Sequence, residues 1–192
     1  MADAEHVVII GAGQAGLSAA AELRKRKFAG AITLIGAEHA PPYQRPPLSK
    51  AYLAGDLPRE RLWLKADAFY DKADITLKTG VRAEAIDRSA SEVVLEDGSR
   101  IGFDHLILAT GGRASTPPLP GAALPGVFVL RTLDDADALG AAMGEAERLA
   151  ILGAGYIGLE VAASARKRGL DVAIAEAAAR PMARTASPVL SA

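Results

Sequence analysis

An α/β fold built from two parallel βαβ units is predicted by three features of this 192-residue chain. The pattern Gly-x-Gly-x-x-Gly occurs twice, as GAGQAG at 11–16 and GAGYIG at 153–158. Each copy follows a short apolar run, Val7-Val8-Ile9-Ile10 or Leu149-Ala150-Ile151-Leu152, and opens a helix-like stretch that reaches Lys27 or Arg168. Each helix ends in a basic cluster before a glycine, Arg24 to Lys27 before Gly30 and Arg166 to Arg168 before Gly169, and a β-branched strand follows at 31–35 or 171–175. Strand, glycine turn, helix and strand therefore recur as an internal repeat of Rossmann-like units.

The glycines have separate physical tasks. The first permits the tight turn, the second lets the backbone approach a pyrophosphate, and the third lets the helix pack closely on the strand. Amide groups at the helix start then face the phosphate charge. One copy alone is a weak signal, whereas two in matched settings point to two bound dinucleotides.

Between the units, Pro41, Pro42, Pro46 and Pro47 forbid a continuous helix over residues 36–47 and predict a structured, irregular loop. Short helices are expected over residues 48–54, closed by Gly55, and over residues 66–72, because neither stretch contains an internal breaker. Strands are expected at 75–77, 82–86 and 92–95, with Glu96-Asp97-Gly98-Ser99 as a hairpin turn. Residues 105–109 read as a buried strand that runs into Thr110-Gly111-Gly112. Four prolines and two glycines within residues 114–126 make that stretch too stiff and turn-rich for a regular element. A domain boundary is placed there, with residues 1–113 before it and 114–192 after it. Beyond it a strand is expected near 127–130 and a helix over 133–143, capped by Thr132 and complemented at its positive end by Asp134 and Asp135.

Twenty-two Lys and Arg against 23 Asp and Glu leave a formal charge of -1, so no global field favours nucleic acid or an anionic membrane. The start of the chain, with Asp3 and Glu5 before four apolar residues, lacks the pattern of a secretory signal, and no run is long enough to span a bilayer. A cytoplasmic setting is expected. The absence of Cys removes disulfides, thiolate metal sites and internal dithiol chemistry. His6, His39 and His105 are scattered without partners at metal or triad spacing, and no metal is assigned. Trp63 and Tyr70 read as packing residues.

Dinucleotide-binding units place an acid near the end of their second strand, where it accepts hydrogen bonds from a ribose hydroxyl. Glu176 fits this position, and no Arg follows it directly, which favours NAD over NADP, although Arg180 lies nearby. In the first unit the tip is Gly36-Ala37-Glu38; Glu38 is the nearest acid, and a solvated loop carboxylate is an equal reading of it. The basic clusters at the two helix ends allow a docking patch for an acidic partner, but favourable interaction with the negative helix ends accounts for them more simply.

The segment PPYQRPPLSK at 41–50, together with GAGQAG, LILATGGR at 106–113, LRTLDDA at 130–136 and GAGYIGLEVAA at 153–163, resembles the FAD-dependent, NADH-linked ferredoxin reductases that serve cytochrome P450 and ring-hydroxylating dioxygenase systems. The similarity runs through nearly the whole chain and implies a glutathione reductase-like flavoprotein fold. It implies that Gly11, Gly13, Ala15 and Gly16 line the FAD phosphates, that Arg45 contacts FAD and that Lys50 lies beside the isoalloxazine. Ala83 would offer backbone to the adenine, and Thr110, Gly111 and Arg131 would complete that site. Gly153, Gly155, Tyr156, Ile157, Gly158 and Glu176 would hold NADH. Family members often carry Asp at the position of Ala37, so the FAD ribose contact passes to Glu38 or is lost. Glu160 is the family's partner for Lys50.

Two neighbouring nucleotides suggest hydride transfer from nicotinamide to flavin, for which the protein supplies positioning and electrostatics. An ammonium at Lys50 suits a site where reduced flavin carries negative charge. By position alone, Lys50 also reads as a surface lysine and Glu160 as a solvated helix carboxylate. The dithiol branch of these flavoproteins has a Cys pair after its first βαβ unit, whereas this chain has RPPLSK there, so electrons must leave to an external acceptor. The resemblance implies a [2Fe-2S] ferredoxin. A rubredoxin reductase, a flavin-dependent NADH oxidase and a nucleotide-binding module without turnover remain alternatives. The family continues well past the point matching Ala192, and the chain is expected to be an N-terminal portion.

Overall fold

The computed structural model describes residues 5–190. They form two compact units, one from residues up to Gln44 together with Trp63–Gly112, the other from Arg45–Leu62 together with Arg113 onward.

In the first unit the chain runs β1 (His6–Ile10), α1 (Gln14–Lys25), β2 (Ala31–Ile35), α2 (Ala68–Lys72), β3 (Ile75–Lys78), β4 (Ala83–Asp87), β5 (Glu92–Leu95), β6 (Arg100–Gly102) and β7 (His105–Leu108). Four strands make a parallel sheet in the order β3-β2-β1-β7, with Val8 paired to Thr33 on one side and Leu106 on the other. Three make an antiparallel sheet in the order β4-β5-β6. The apolar run of β1 has no polar alternation because both of its faces are covered, as parallel sheets require. Val7 and Ile9 pack with Leu17 and Ala20 of α1 and with Ile32, Leu34, Tyr70 and Ile75. Val8 and Ile10 pack on the opposite face with Ile35, Val93 and Leu95. Tyr70 is thus a core residue, with its ring edge-on to Phe69 at 5.6 Å.

Local departures from the expected elements have local causes. Helix α1 ends at Lys25, and Lys27 takes a left-handed turn with φ +63°. Arg24 then laces the helix end to the next segments, donating to the carbonyls of Phe28, Gly30 and Ala73 at 2.7 Å and of Asp74 at 2.6 Å. Its guanidinium is consumed by backbone acceptors beyond α1 and its side chain is only 16% exposed, so Arg24 itself clasps neighbouring segments and offers little to a docking partner. Strand β7 is half-exposed rather than buried, because among the described residues it pairs on one side only. The 92–102 hairpin closes as expected, with the Leu95 amide donating to the Ser99 carbonyl at 2.9 Å and Gly98 at φ +80°.

In the second unit the elements are α3 (Leu133–Glu145), β8 (Arg148–Leu152), α4 (Tyr156–Lys167) and β9 (Asp171–Ala175), and β8 pairs with β9 in parallel. The helix expected over residues 48–54 is instead a 3-10 turn at Pro46–Ser49 followed by further turns to Gly55. Pro46 and Pro47, at its first two positions, start a helical turn with preset φ and no amide to satisfy, so the turn begins earlier and tighter than the apolar pattern suggested. The strand expected near residues 127–130 does not form. Val127, Phe128 and Val129 are exposed and, among the described residues, face no strand partner, so β-branched composition had no ladder to join. Helix α3 begins as expected: Thr132 Oγ1 accepts from the Asp135 amide at 3.1 Å and the Asp135 carboxylate accepts from the Thr132 amide at 2.8 Å. Its apolar face, with Leu139 and Met143, packs on Leu53, Val161, Ala165 and Leu170. Segment 45–62 is thereby part of this core.

Candidate functional site: two glycine turns and an ion pair

Each glycine turn follows from its own contacts. Gly11 has φ +117° and Gly153 has φ +101°, a region that L side chains rarely adopt. Gly11 donates to the Ile35 carbonyl and Gly153 to the Ala175 carbonyl, both at 2.8 Å, so each turn is tied to the end of its own second strand. A Cβ on Gly16 would overlap the Gly11 carbonyl, and a Cβ on Gly158 would overlap the Gly153 carbonyl. These third glycines therefore permit the close helix-on-turn contact. Thr110 lies against the first turn, since a Cβ on Gly11 would reach its amide and overlap the Ala109 carbonyl. Gly111 follows with φ +68°.

The middle glycines are different. Gly13 has φ -98° and Gly155 φ -82°, values open to any residue, and among the described residues a Cβ on either would meet no atom within 4 Å. Neither backbone strain nor protein packing demands glycine there. Both positions cap helices that lack a side-chain cap and an acidic residue in the first turn. A site that is open, bare of side chain and lined by helix-start amides suits a diphosphate. The chain thus fits two dinucleotide pyrophosphates by its own geometry. At the helix starts Ala15 is exposed, as are Tyr156 and Ile157 at 57% and 55%.

The acids after the second strands differ. Glu176 accepts from the Ala154 amide at 2.7 Å and from the Ala178 amide at 2.8 Å. Backbone donation from Ala178, then from Ala154, holds its carboxyl below the usual glutamate range. In the first unit the residue in this register is Gly36, pressed on the Ala12 Cβ, and Ala37 is exposed. Glu38 lies two positions further, where it accepts a hydrogen bond from the Tyr43 hydroxyl, and its carbonyl accepts from the Gly80 amide at 2.9 Å. Ala83 opens β4 in the same unit and is half-buried.

Within the second unit the proline loop meets α3 and α4. Arg45 donates to the Arg131 carbonyl at 2.8 Å, and the Arg131 amide donates to Asp135 at 2.9 Å. Lys50 Nζ stands 3.3 Å from Glu160 Oε1, with the lysine side chain 53% and the glutamate 28% exposed. The other oxygen, Oε2, accepts from Ser49 Oγ. Lys50 and Glu160 are therefore partners rather than independent surface charges.

Sequence reasoning missed several of these groups. Ser49 sat in the quoted loop without a role, Ser164 shares a helix face with Glu160, and Tyr43 was passed over beside Glu38. Tyr52 donates to Asp137, which also pairs with Arg59 at 2.6 Å. Burial, reinforced by Asp137, pushes the Tyr52 phenol up to about 12. Among the described residues no cluster of His, Asp and Glu is placed to hold a metal ion, and no helix is long and apolar enough to cross a membrane.

Residues 5–192 match the family model described as pyridine nucleotide-disulphide oxidoreductase. The chain is 54% identical to rhodocoxin reductase of Rhodococcus erythropolis, over 96% of this chain and 43% of that protein. The ferredoxin reductase for the CYP199A2 system of Rhodopseudomonas palustris has the same fold with a TM-score of 0.92 and 43% identity, over 97% of this chain and 46% of that one. The reductase in the covalent putidaredoxin reductase–putidaredoxin complex gives a TM-score of 0.88 at 41% identity, over 97% and 45%. The chain spans somewhat under half the length of these relatives. It belongs to the pyridine nucleotide-disulphide oxidoreductase family, whose ferredoxin reductase members bind FAD and NAD(H).

Proposed function

We propose that the protein is an FAD-containing reductase, acting in the cytoplasm, that passes electrons from NADH to a [2Fe-2S] ferredoxin supplying a P450 or ring-hydroxylating oxygenase. The observation that carries this reading is the pair of matched turns whose middle glycines, Gly13 and Gly155, are required by nothing among the described residues. Similarity to rhodocoxin reductase and to a reductase complexed with putidaredoxin supports a ferredoxin-type protein as acceptor. RPPLSK, standing where the dithiol branch carries its Cys pair, supports an acceptor other than a dithiol at that place.

On this reading residues 1–113 contribute the FAD-binding segment and residues 114–192 the NAD-binding one. Gly11, Gly13, Ala15, Gly16, Thr110 and Gly111 hold FAD from the first turn, with Ala83 at the adenine and Glu38 as ribose acceptor. Arg45, Lys50 and Arg131 are assigned to FAD by family resemblance. Gly153, Gly155, Tyr156, Ile157 and Gly158 hold NADH, and Glu176 accepts from its ribose. Held by these residues, FAD would supply the conversion between a two-electron hydride donor and a one-electron acceptor. Lys50 supplies positive charge that offsets the negative charge of a reduced site, and Glu160 holds the ammonium when that charge is absent. No residue need move a proton for hydride transfer.

The test is an anaerobic titration of the purified protein with NADH, followed by flavin absorbance and then by reduction of an added [2Fe-2S] ferredoxin. Bleaching at one NADH per flavin and reoxidation by the ferredoxin are expected. A colourless protein that FAD cannot reconstitute overturns the enzyme reading. Preference for rubredoxin or rapid oxygen consumption would redirect it to the corresponding reductase or oxidase.

A further inference from the structure

The carboxylate of Glu160 is divided between two partners of different kinds. Its Oε1 faces the partly exposed Lys50 ammonium at 3.3 Å, while its Oε2 accepts from the hydroxyl of Ser49, a side chain on a residue only 6% exposed. Ser49 is held in turn. Ser164 Oγ donates to the Ser49 carbonyl at 3.1 Å and lies 3.5 Å from the Lys50 carbonyl. Glu160 and Ser164 are four residues apart on α4 and so project from one helix face. That face grips residue 49 at two points, Glu160 at the hydroxyl and Ser164 at the carbonyl. Pro46 and Pro47 stiffen the turn from which Ser49 emerges, and the neighbouring Leu48 is buried.

We infer that Ser49 and Ser164 are positioning residues that fix the Glu160 carboxylate so that one oxygen always faces Lys50. The inference rests on the role given to the Lys50–Glu160 pair under the proposed function. A carboxylate bound only to a flexible ammonium would follow it, or rotate to engage it with both oxygens. Anchored by a buried neutral donor, Glu160 stays in place when the ammonium shifts toward new negative charge. The lysine then has a fixed position to return to.

The test is a double-mutant cycle with Ser49→Ala and Glu160→Ala, read in two ways on the purified, FAD-loaded protein: by urea denaturation and by the stopped-flow rate of flavin reduction at saturating NADH. Ser49→Ala is expected to slow flavin reduction about tenfold, the scale of a hydrogen bond to a charged group, and to leave the NADH dissociation constant within about twofold. In the Glu160→Ala background, where no acceptor is left for the hydroxyl, the same change should have no further effect on the rate. Ser49→Thr, which keeps the hydroxyl, should recover most of the rate, and Ser164→Ala should slow reduction by about threefold as one neutral hydrogen bond is lost. Coupling in both readouts supports the clamp. Absence of coupling in urea overturns it, as does equal slowing by Ser49→Ala with and without Glu160. If urea coupling is present but Glu160→Gln and Lys50→Met leave flavin reduction untouched, the clamp is supported and the electrostatic role of the pair falls.

Discussion

The turn at Gly11 and the turn at Gly153 share a backbone and differ in their surroundings. Both begin at a positive-φ glycine, both tie back to the end of their second strand, and both keep an unencumbered middle glycine. The first rises from β1, which is paired on both sides and buried on both faces. The second rises from β8, which pairs only with β9 among the described residues and shows an alternating, half-exposed face. Past the second strand one turn meets Gly36, and the other meets Glu176 with its carboxylate on the Ala154 amide. The glycines thus dictate how the chain turns and leave room for a diphosphate. The residue after the second strand is where the two turns differ, a glycine in one and a backbone-bound carboxylate in the other.

The largest break in the comparison should come from the strands. Ile9→Ala is expected to destabilise the protein by about 4 kcal/mol, and Ile151→Ala, at the equivalent but half-exposed position, by about 2 kcal/mol or less. Urea denaturation measures both, and equal costs would erase the distinction between the two settings. Next come the third glycines. Gly16→Val and Gly158→Val should each cost about 3 kcal/mol or more, because the added carbons strike backbone that cannot yield. A large loss at one and none at the other would show that the turns are not equivalent.

The middle glycines should separate binding from stability. Gly13→Ala and Gly155→Ala are expected to change stability by about 0.5 kcal/mol or less, since a methyl meets no protein there. Each should weaken its own dinucleotide about tenfold, Gly13→Ala by loss of FAD and Gly155→Ala by a raised NADH dissociation constant. Isothermal titration distinguishes them, and cross-effects would merge two sites into one.

The smallest effect is a pH response confined to the second turn. The folded value of Glu176 lies below the ordinary glutamate value of 4.5, so its hold on the loop is fully present above that pH and is lost as pH falls through the folded value. Amide shifts of Ala154 and Ala178 should titrate in that acidic window, and Glu176→Gln should abolish the response. The Ala12 amide of the first turn, with Gly36 in the matching position, should stay flat. Titration of both turns alike would break the distinction.

Adjacent residues made the local architecture legible. Glycines at 11, 13, 16, 153, 155 and 158, apolar runs before them and the Thr132 cap each impose a backbone geometry on their immediate neighbours, and these elements formed where expected. The pairing of Lys50 with Glu160 was accessible only through family resemblance, because neither residue's neighbours carry a mark of the other. Long-range packing decided the rest. It drew segment 45–62 into the core of α3 and α4, gave β1 neighbours on both sides, and left residues 127–130 without a ladder. It also set Ser49 against a carboxylate 111 positions away. Turn and helix preferences are written within a few consecutive residues, whereas partners so distant are chosen by how whole faces fit together, which no local pattern records.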